Sequence, residues 1–84
     1  MPYVYLLLCG DGSYYAGWTT DLDNRVKQHS AGKGGRYTRA HLPIRLAYAE
    51  EWPTRQEAMQ REWAVKQYSH EDKQKLVNDW KEKR

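Results

Sequence analysis

The sequence predicts an α+β domain in which helices flank a small, mainly antiparallel three-stranded sheet. Two short runs rich in apolar and aromatic residues surround the turn sequence Gly-Asp-Gly at positions 10–12, which is typical of a β-hairpin. A third such run follows Pro43, and stretches that begin with helix-capping residues come after the second and third runs. Because 84 residues suffice for one domain, we expect a single domain over 1–84 with the order β-β-α-β-α-α.

The first two predicted strands form a hairpin, with limits at Tyr3–Cys9 and Tyr14–Thr19. If the turn residues separate a paired Cys9 and Ser13, Tyr5 lies opposite Gly17. Side chains alternate between the faces of a strand, so Tyr5 and Tyr15 then share one face as diagonal neighbours. An even-numbered turn would place them on opposite faces. Cross-strand packing is the ordinary explanation of such a pair, and a function for it needs support from elsewhere in the chain.

The first predicted helix is capped by Thr20 or Asp21 and ends near residue 30. Its buried stripe is defined by Leu22 and Val26. At about 100° per residue, His29 falls within this stripe and Arg25 lies about 60° to one side. Arg25 and His29 are four positions apart and are therefore adjacent on the helix surface. Each also has a structural interpretation, as an arginine at the edge of the core or a half-buried imidazole.

A basic segment begins on this helix. Positions 24–49 contain six Lys or Arg residues and no Asp or Glu. Such a block suits a polyanion such as DNA or RNA, and a solvated basic surface is the structural alternative. The glycine-rich stretch from Ala31 is expected to open a flexible basic loop. The candidate nucleic-acid contacts are Lys27, Lys33, Arg36, Tyr37, Thr38 and Arg39.

A strand and two helices complete the chain. The third strand is predicted at Ile44–Glu51, and a capping box at Thr54–Glu57 opens a helix that reaches about Tyr68. A second capping-type start at Ser69 begins a last helix over about 70–82. The apolar stripe of the earlier of these two helices is predicted from Ala58, Met59, Trp63 and Val65.

Glu62 lies near the middle of that predicted stripe. An ionised carboxylate there costs roughly several kcal/mol in desolvation unless a cation or hydrogen bonds offset it. An ion pair with Arg25, a tyrosine hydroxyl or a divalent metal ion would each do so. The spacing leaves metal binding and structural pairing open.

Composition excludes several classes of protein. The net charge is +3, and no apolar run is long enough to cross a bilayer, so we expect a soluble protein. Residues 1–20 lack the features of a secretory signal peptide. The lone Cys9 can form no internal disulfide, which fits a reducing cytoplasm. One Cys and three scattered His cannot assemble a zinc cluster.

Several positions, taken in order, resemble the GIY-YIG nuclease family. They are Tyr-Val-Tyr at 3–5, Tyr-Ala-Gly at 15–17, Arg25, His29 and Glu62. The stretches GDGSYYAG and GKGGRYT are typical of its small stand-alone members, and REWAVK at 61–66 is similar to a Glu-Trp segment of members that cut branched DNA. The resemblance covers residues 3–68. Each three-residue motif alone is weak, but five matched positions in order are specific.

The resemblance implies a phosphodiester hydrolase with one divalent ion, Mg²⁺ or Mn²⁺. Tyr15 would be the phenol beside the attacking water, as base or positioner, and Tyr5 would hydrogen-bond to water or phosphate. Arg25 would stabilise charge on the phosphate, and Glu62 would hold the metal. His29 would take the place of an acid/base group or phosphate contact. Hydrolysis needs these parts: a nucleophile, a cation on the non-bridging oxygens and help for the leaving alcohol.

Some positions depart from the family pattern. Tyr3 stands where the first motif has glycine, and Val4 and Ala16 replace isoleucines, which alters packing rather than catalytic groups. Some members place an asparagine about a dozen residues after the metal-binding glutamate. This chain has Gln74 there, and Asn78 is left outside the predicted site.

The predicted function is therefore that of a divalent-metal endonuclease acting on DNA, structure-directed in repair or recombination. RNA is an alternative substrate, and a protein partner could supply specificity. The alternative function is a nucleic-acid-binding module that has kept the fold with little or no catalysis.

Overall fold

The computed structural model describes residues 1–83, and Arg84, the last residue of the predicted domain, lies outside them. The elements are β1 (Tyr3–Leu8), β2 (Tyr14–Thr19), α1 (Leu22–Ser30), α2 (Arg36–Ala40), β3 (Arg45–Glu51), α3 (Arg55–Lys66) and α4 (His70–Glu82). The predicted α+β class is confirmed, and so is the predicted order apart from the additional short helix α2. The predicted caps Asp21, Thr54 and Ser69 each accept a backbone N–H bond at the start of α1, α3 and α4.

The sheet has the order β2-β1-β3, and both strand pairs are antiparallel. In the hairpin, Tyr5 pairs with Gly17 and Leu7 with Tyr15, which is the predicted register. The register between β1 and β3 shifts between Leu6 and Leu7. Tyr5 and Tyr15 therefore share a face, as predicted.

Side chains of β1 alternate between two apolar clusters, one on each face of the sheet. On one face, Val4 and Leu6 pack with residues of β2, β3, α3 and α4, namely Tyr14, Ala16, Ala47, Ala58, Val65 and Val77. On the other, Tyr5 and Leu7 pack with Cys9, Ile44, Tyr15 and two α1 residues, Leu22 and Val26. Because helices cover both faces, the central strand is buried along most of its length.

The glycine-rich basic segment is not the flexible loop that its sequence predicts. It contains α2, which is held against α1 by a hydrogen bond between Thr38 Oγ1 and His29 Nδ1 of 2.8 Å. Thr38 is fully buried, and Gly34 lies so close to the His29 ring that a Cβ there would collide with it. A tertiary contact thus orders a segment whose local signals favour a loop.

The buried face of α3 also differs from the prediction. Ala58 and Val65 are buried as expected, whereas Met59 and Trp63 are 51% and 67% exposed. The reason is that Arg61 turns inward, where its Nε lies 3.0 Å from Glu50 Oε2. Arg61 lies about 160° around the helix from both of them, so the buried face is rotated towards Arg61 and leaves Met59 and Trp63 exposed.

Other limits differ from the predicted ones by a few residues at most: β1 ends at Leu8, β3 begins at Arg45 and α3 ends at Lys66. No helix within residues 1–83 has the length and apolar character that a membrane span requires.

Candidate active site

Tyr5 stands at the centre of the site, on the central strand. The residue is 2% exposed, and its hydroxyl lies over Gly17 of the neighbouring strand. A Cβ at position 17 would collide with the phenol, so glycine is required for this ring position. The Tyr5 hydroxyl lies 3.2 Å from His29 Nε2, which connects β1 to α1.

His29 links Tyr5 to α2 through a chain of hydrogen bonds. The Thr38 hydroxyl donates to the Gly35 carbonyl at 3.4 Å, so its oxygen accepts from His29 Nδ1–H at 2.8 Å. In that tautomer Nε2 carries no proton and accepts from the Tyr5 hydroxyl. Both ring nitrogens of the fully buried imidazole are therefore satisfied.

Burial keeps the hydrogen-bonded side chains of Tyr5 and His29 neutral. It raises the pKa of Tyr5 to about 12, with Tyr15 and Glu62 adding to the rise and Arg25 opposing it. Burial also lowers the pKa of His29 from its ordinary value, and the Arg25 charge lowers it further. At neutral pH, Tyr5 is therefore a hydrogen-bond donor rather than a base.

Tyr15 has the same side-chain chemistry but more access to solvent. It is partly exposed, and its ring centroid lies 5.3 Å from that of His29 and 6.1 Å from that of Tyr37. The Tyr37 hydroxyl is fixed in turn by Ser13 Oγ at 2.6 Å. Tyr15 is thus the phenol of the pair that can meet water and a substrate.

Arg25 supplies a cation beside these phenols. It is partly buried on α1 and forms no ion pair with any carboxylate among residues 1–83. Its charge lowers the pKa values of both Tyr5 and His29. A cation of this kind can bind an anion such as a phosphate.

Glu62 supplies the negative charge. Its side chain is 19% exposed, and Oε1 lies 3.7 Å from Lys66 Nζ, one helical turn further along α3. The partner left open by the sequence is therefore Lys66 rather than Arg25. Although α3 packs on the other face of the sheet, the Glu62 charge still raises the pKa of Tyr5.

A divalent ion fits this site only together with a substrate. Within residues 1–83, no group of three or more His, Cys, Asp and Glu side chains could hold a metal ion. In phosphate-processing sites, however, Mg²⁺ is commonly bound by one or two carboxylates, waters and the phosphate itself. Glu62 meets that requirement. Gln74 Nε2 donates to Asn78 Oδ1, and Gln74 Oε1 accepts from the hydroxyl of Tyr14, whose side chain belongs to the other face of the sheet.

The predicted nucleic-acid contacts divide into two groups. The first group has exposed side chains and consists of Lys27, Lys33, Arg36, Tyr37 and Arg39, which all lie within the basic segment. Thr38 is fully buried and bonded to His29, so its side chain offers no surface to a ligand and positions the imidazole instead. Sequence reasoning missed Lys66, although its i,i+4 spacing from Glu62 could have indicated the ion pair.

The three-stranded sheet and its flanking helices form the fold of a GIY-YIG catalytic domain. The chain belongs to the GIY-YIG family, because the model of the GIY-YIG catalytic domain matches residues 1–76.

Relatives of this chain are small proteins from bacteria and archaea. UPF0213 protein BH0048 of Halalkalibacterium halodurans is 49% identical over 76 residues, which cover 90% of this chain and 81% of the relative. UPF0213 protein VNG_2274C of Halobacterium salinarum is 45% identical, with 90% of this chain and 99% of the relative covered. These relatives confirm the resemblance to small stand-alone members.

Two solution NMR structures share the fold. That of UPF0213 protein BH0048 from Bacillus halodurans has a TM-score of 0.58 and 48% identity, and covers 93% of this chain and 84% of that one. The structure of protein EF2693 from E. faecalis has a TM-score of 0.60 and 37% identity, and the match covers 92% of this chain and 82% of that one.

Proposed function

We propose that this protein is a divalent-metal-dependent endonuclease that hydrolyses phosphodiester bonds in DNA. The observation that carries the proposal is the bond of the Tyr5 hydroxyl to His29 Nε2, because it brings the phenol against α1 one helical turn from the cation of Arg25. Tyr15 lies on the same face of the sheet and faces Leu7, two residues along β1 from Tyr5. A cation, a carboxylate and a phenol with solvent access are the groups that this hydrolysis needs.

In the proposed reaction, a water oxygen bonds to phosphorus while the bond from phosphorus to the leaving oxygen breaks. Arg25 binds the non-bridging oxygens and offsets their charge. Tyr15 positions the water and, reacting as the phenolate, takes up its proton, while the leaving alcohol acquires a proton from solvent. Tyr5 stays protonated and holds the geometry through its bond to His29. The divalent ion, bound by Glu62 and the phosphate, would add positive charge on the same oxygens.

The alternative is a nucleic-acid-binding module with this fold and little or no catalysis. The ion pair between Glu62 and Lys66 supports it, because the carboxylate already has a cationic partner. We also propose DNA rather than RNA as the substrate, a structure-directed role in repair or recombination, a cytoplasmic location and a protein partner that supplies specificity.

Cleavage of labelled single-stranded, duplex and branched DNA in Mg²⁺ and in Mn²⁺ tests the proposal. Glu62→Gln and Tyr15→Phe should each reduce the rate by at least about 100-fold, because each removes a group that acts on the reacting phosphate or water. Glu71→Gln is the matched control, since Glu71 is an exposed carboxylate on α4, and it should cleave at the wild-type rate.

Two outcomes would overturn the nuclease. Equal cleavage by wild type and both site variants would indicate a contaminant. Salt-sensitive binding without cleavage in either metal would instead select the binding module.

A further inference from the structure

The outer strand β2 has a free edge, because it pairs only with β1 among the strands within residues 1–83. Two open grooves lie against its two ends. The tyrosine groove, of ≈ 400 Å³, is lined by Tyr14, Tyr15, Ala16, Tyr37, Lys66 and Lys73. The arginine groove, of ≈ 330 Å³, is lined by Trp18, Thr19, Thr20, Arg25 and Arg55. Gly17, which lies against the Tyr5 hydroxyl, separates the two stretches of β2.

Each groove carries two cations, and none of the residues that line either groove is acidic. Lys66 and Lys73 belong to the tyrosine groove, and Arg25 and Arg55 to the arginine groove. Arg55 and Lys73 form no ion pair with any carboxylate in residues 1–83. Positive charge is therefore available on both sides of the candidate active site.

Helix α3 connects the two grooves. Arg55, Glu62 and Lys66 are seven and four positions apart, so they lie within about 20° of one line along the helix surface. Arg55 and Lys66 are separated by about 16 Å along the axis, from a rise of about 1.5 Å per residue. The edge of β2 is about 20 Å long, from about 3.3 Å for each residue. One face of α3 thus places a cation in each groove with Glu62 between them.

The tyrosine groove also offers an aromatic surface. Tyr37 is 42% exposed, and its ring is stacked on His41 at 4.2 Å and lies nearly parallel to Tyr15. Its hydroxyl is bonded to Ser13, so the ring is fixed in place. Aromatic rings beside cations are the arrangement by which proteins bind unpaired nucleic-acid strands, because exposed bases stack on the rings while the cations bind phosphates.

We propose that an unpaired nucleic-acid strand binds along the free edge of β2. Its phosphates contact Arg25 and Arg55 on one side of the cleaved bond and Lys66 and Lys73 on the other, and a base stacks on Tyr37. This inference rests on the proposed function and names its substrate class. It keeps the predicted contacts of Arg25 and Tyr37, but differs from the sequence prediction in the other phosphate contacts, which that prediction placed on the basic segment, where Lys33, Arg36 and Arg39 line a separate pocket.

Binding of a fluorescein-labelled 12-nucleotide single-stranded DNA, followed by anisotropy in EDTA so that no metal-dependent cleavage intervenes, tests the path. Arg55→Gln and Lys73→Gln should each weaken binding about 3- to 10-fold and reduce the salt slope by about 0.7, since each removes one phosphate contact to a single strand. Lys75→Gln is the matched control, because Lys75 is an exposed lysine of α4 that lines neither groove. It should bind like wild type.

Two variants of Tyr37 test the proposed stacking of a base on its ring. Tyr37→Phe keeps the ring and should retain single-strand affinity, whereas Tyr37→Leu should lose about 10-fold, in the range measured for one stacked base. Equal affinity in the two variants would overturn the stacking contact.

Three results would overturn the path itself. The first is that the wild-type protein does not bind the strand. The second is that Arg55→Gln and Lys73→Gln bind it as tightly as Lys75→Gln does. The third is that affinity is lost only in Lys33→Gln and Arg36→Gln. The last would place the strand on the basic segment. Cleavage by wild type with unchanged affinity in Arg55→Gln and Lys73→Gln would refute the path alone. Groove-dependent binding without cleavage would refute the nuclease alone.

Discussion

Tyr5 and Tyr15 show how two identical side chains on one face of a sheet acquire different roles. Tyr5 is buried and bonded to His29, whereas Tyr15 is partly exposed. The hairpin sequence predicts their shared face, because the turn sets the register locally. It cannot predict which phenol is buried, since that depends on His29 and on Thr38, which lies on a helix that the sequence did not indicate.

The raised pKa of Tyr5 predicts a loss of stability in alkali. The unfolded phenol ionises near pH 10, whereas the folded one keeps its proton to about 12. The stabilisation that comes from burying the protonated phenol is therefore present below pH 10. It is lost as the pH rises to about 12, which lowers the free energy of unfolding by about 2 kcal/mol. Tyr5→Phe has no hydroxyl to ionise at this position. The difference in the free energy of unfolding between wild type and Tyr5→Phe should therefore shrink by about 2 kcal/mol between pH 10 and pH 12.

Urea unfolding of both proteins at intervals from pH 8 to pH 12 measures this difference. The pKa of Tyr48 is also raised to about 12, mainly by burial, but Tyr48 is present in both proteins and its contribution cancels. Parallel stability curves for the two proteins would refute the assignment of a neutral, buried Tyr5.

The sequence prediction also missed the partner of Glu62, although the i,i+4 spacing of that partner is visible in the sequence. The cation nearest to Glu62 is Lys66 on the same helix, and Arg25 remains free of carboxylates within residues 1–83. Because Lys66 is about half exposed, the pair contributes only about 0.3–0.5 kcal/mol. A metal ion at Glu62 or a phosphate at Lys66 therefore has little to displace.

At the scale of elements, predictability follows how local each determinant is. The hairpin, α1 and α4 depend on turn and capping residues within a few positions, and the sequence places them correctly. The buried face of α3 depends on the pairing of Arg61 with Glu50 of β3, and α2 depends on contacts with α1. Neither contact leaves a periodic signal in the chain.

Adjacent glycines at the start of α2 allow a test of its anchoring to α1. A Cβ at position 34 would collide with the His29 ring, whereas one at position 35 would meet nothing within 4 Å. Gly34→Ala should therefore destabilise the protein by about 1–3 kcal/mol, as overpacking does. Gly35→Ala should have the stability of wild type within about 0.5 kcal/mol.

Chemical denaturation measures both variants, and proton NMR of the His29 ring reports whether α2 has moved. If Gly34→Ala were as stable as Gly35→Ala and the His29 resonances were unchanged, the contact between α1 and α2 would not hold the basic segment in place.

At the scale of the whole molecule, a net charge of +3 understates how the cations are arranged. Two cations line each groove beside β2, and three more line the pocket next to α2. Composition reveals the basic segment because its cations are contiguous in sequence. The path along β2 cannot be recognised from composition, because its cations come from three helices and are brought together only in the folded chain.

The length of that path predicts how affinity depends on oligonucleotide length. An edge of about 20 Å spans about six nucleotides of a stacked strand at about 3.4 Å each. Competition binding with oligodeoxyadenylates of 2 to 12 residues, whose bases stack, should therefore show a steep gain in affinity up to about six residues and only a shallow statistical gain beyond. In Arg55→Gln the steep gain should end at a shorter length, because one end of the path has lost its phosphate contact. A steep gain that continued through 12 residues in both proteins would mean that the strand extends beyond β2 onto Lys33, Arg36 and Arg39.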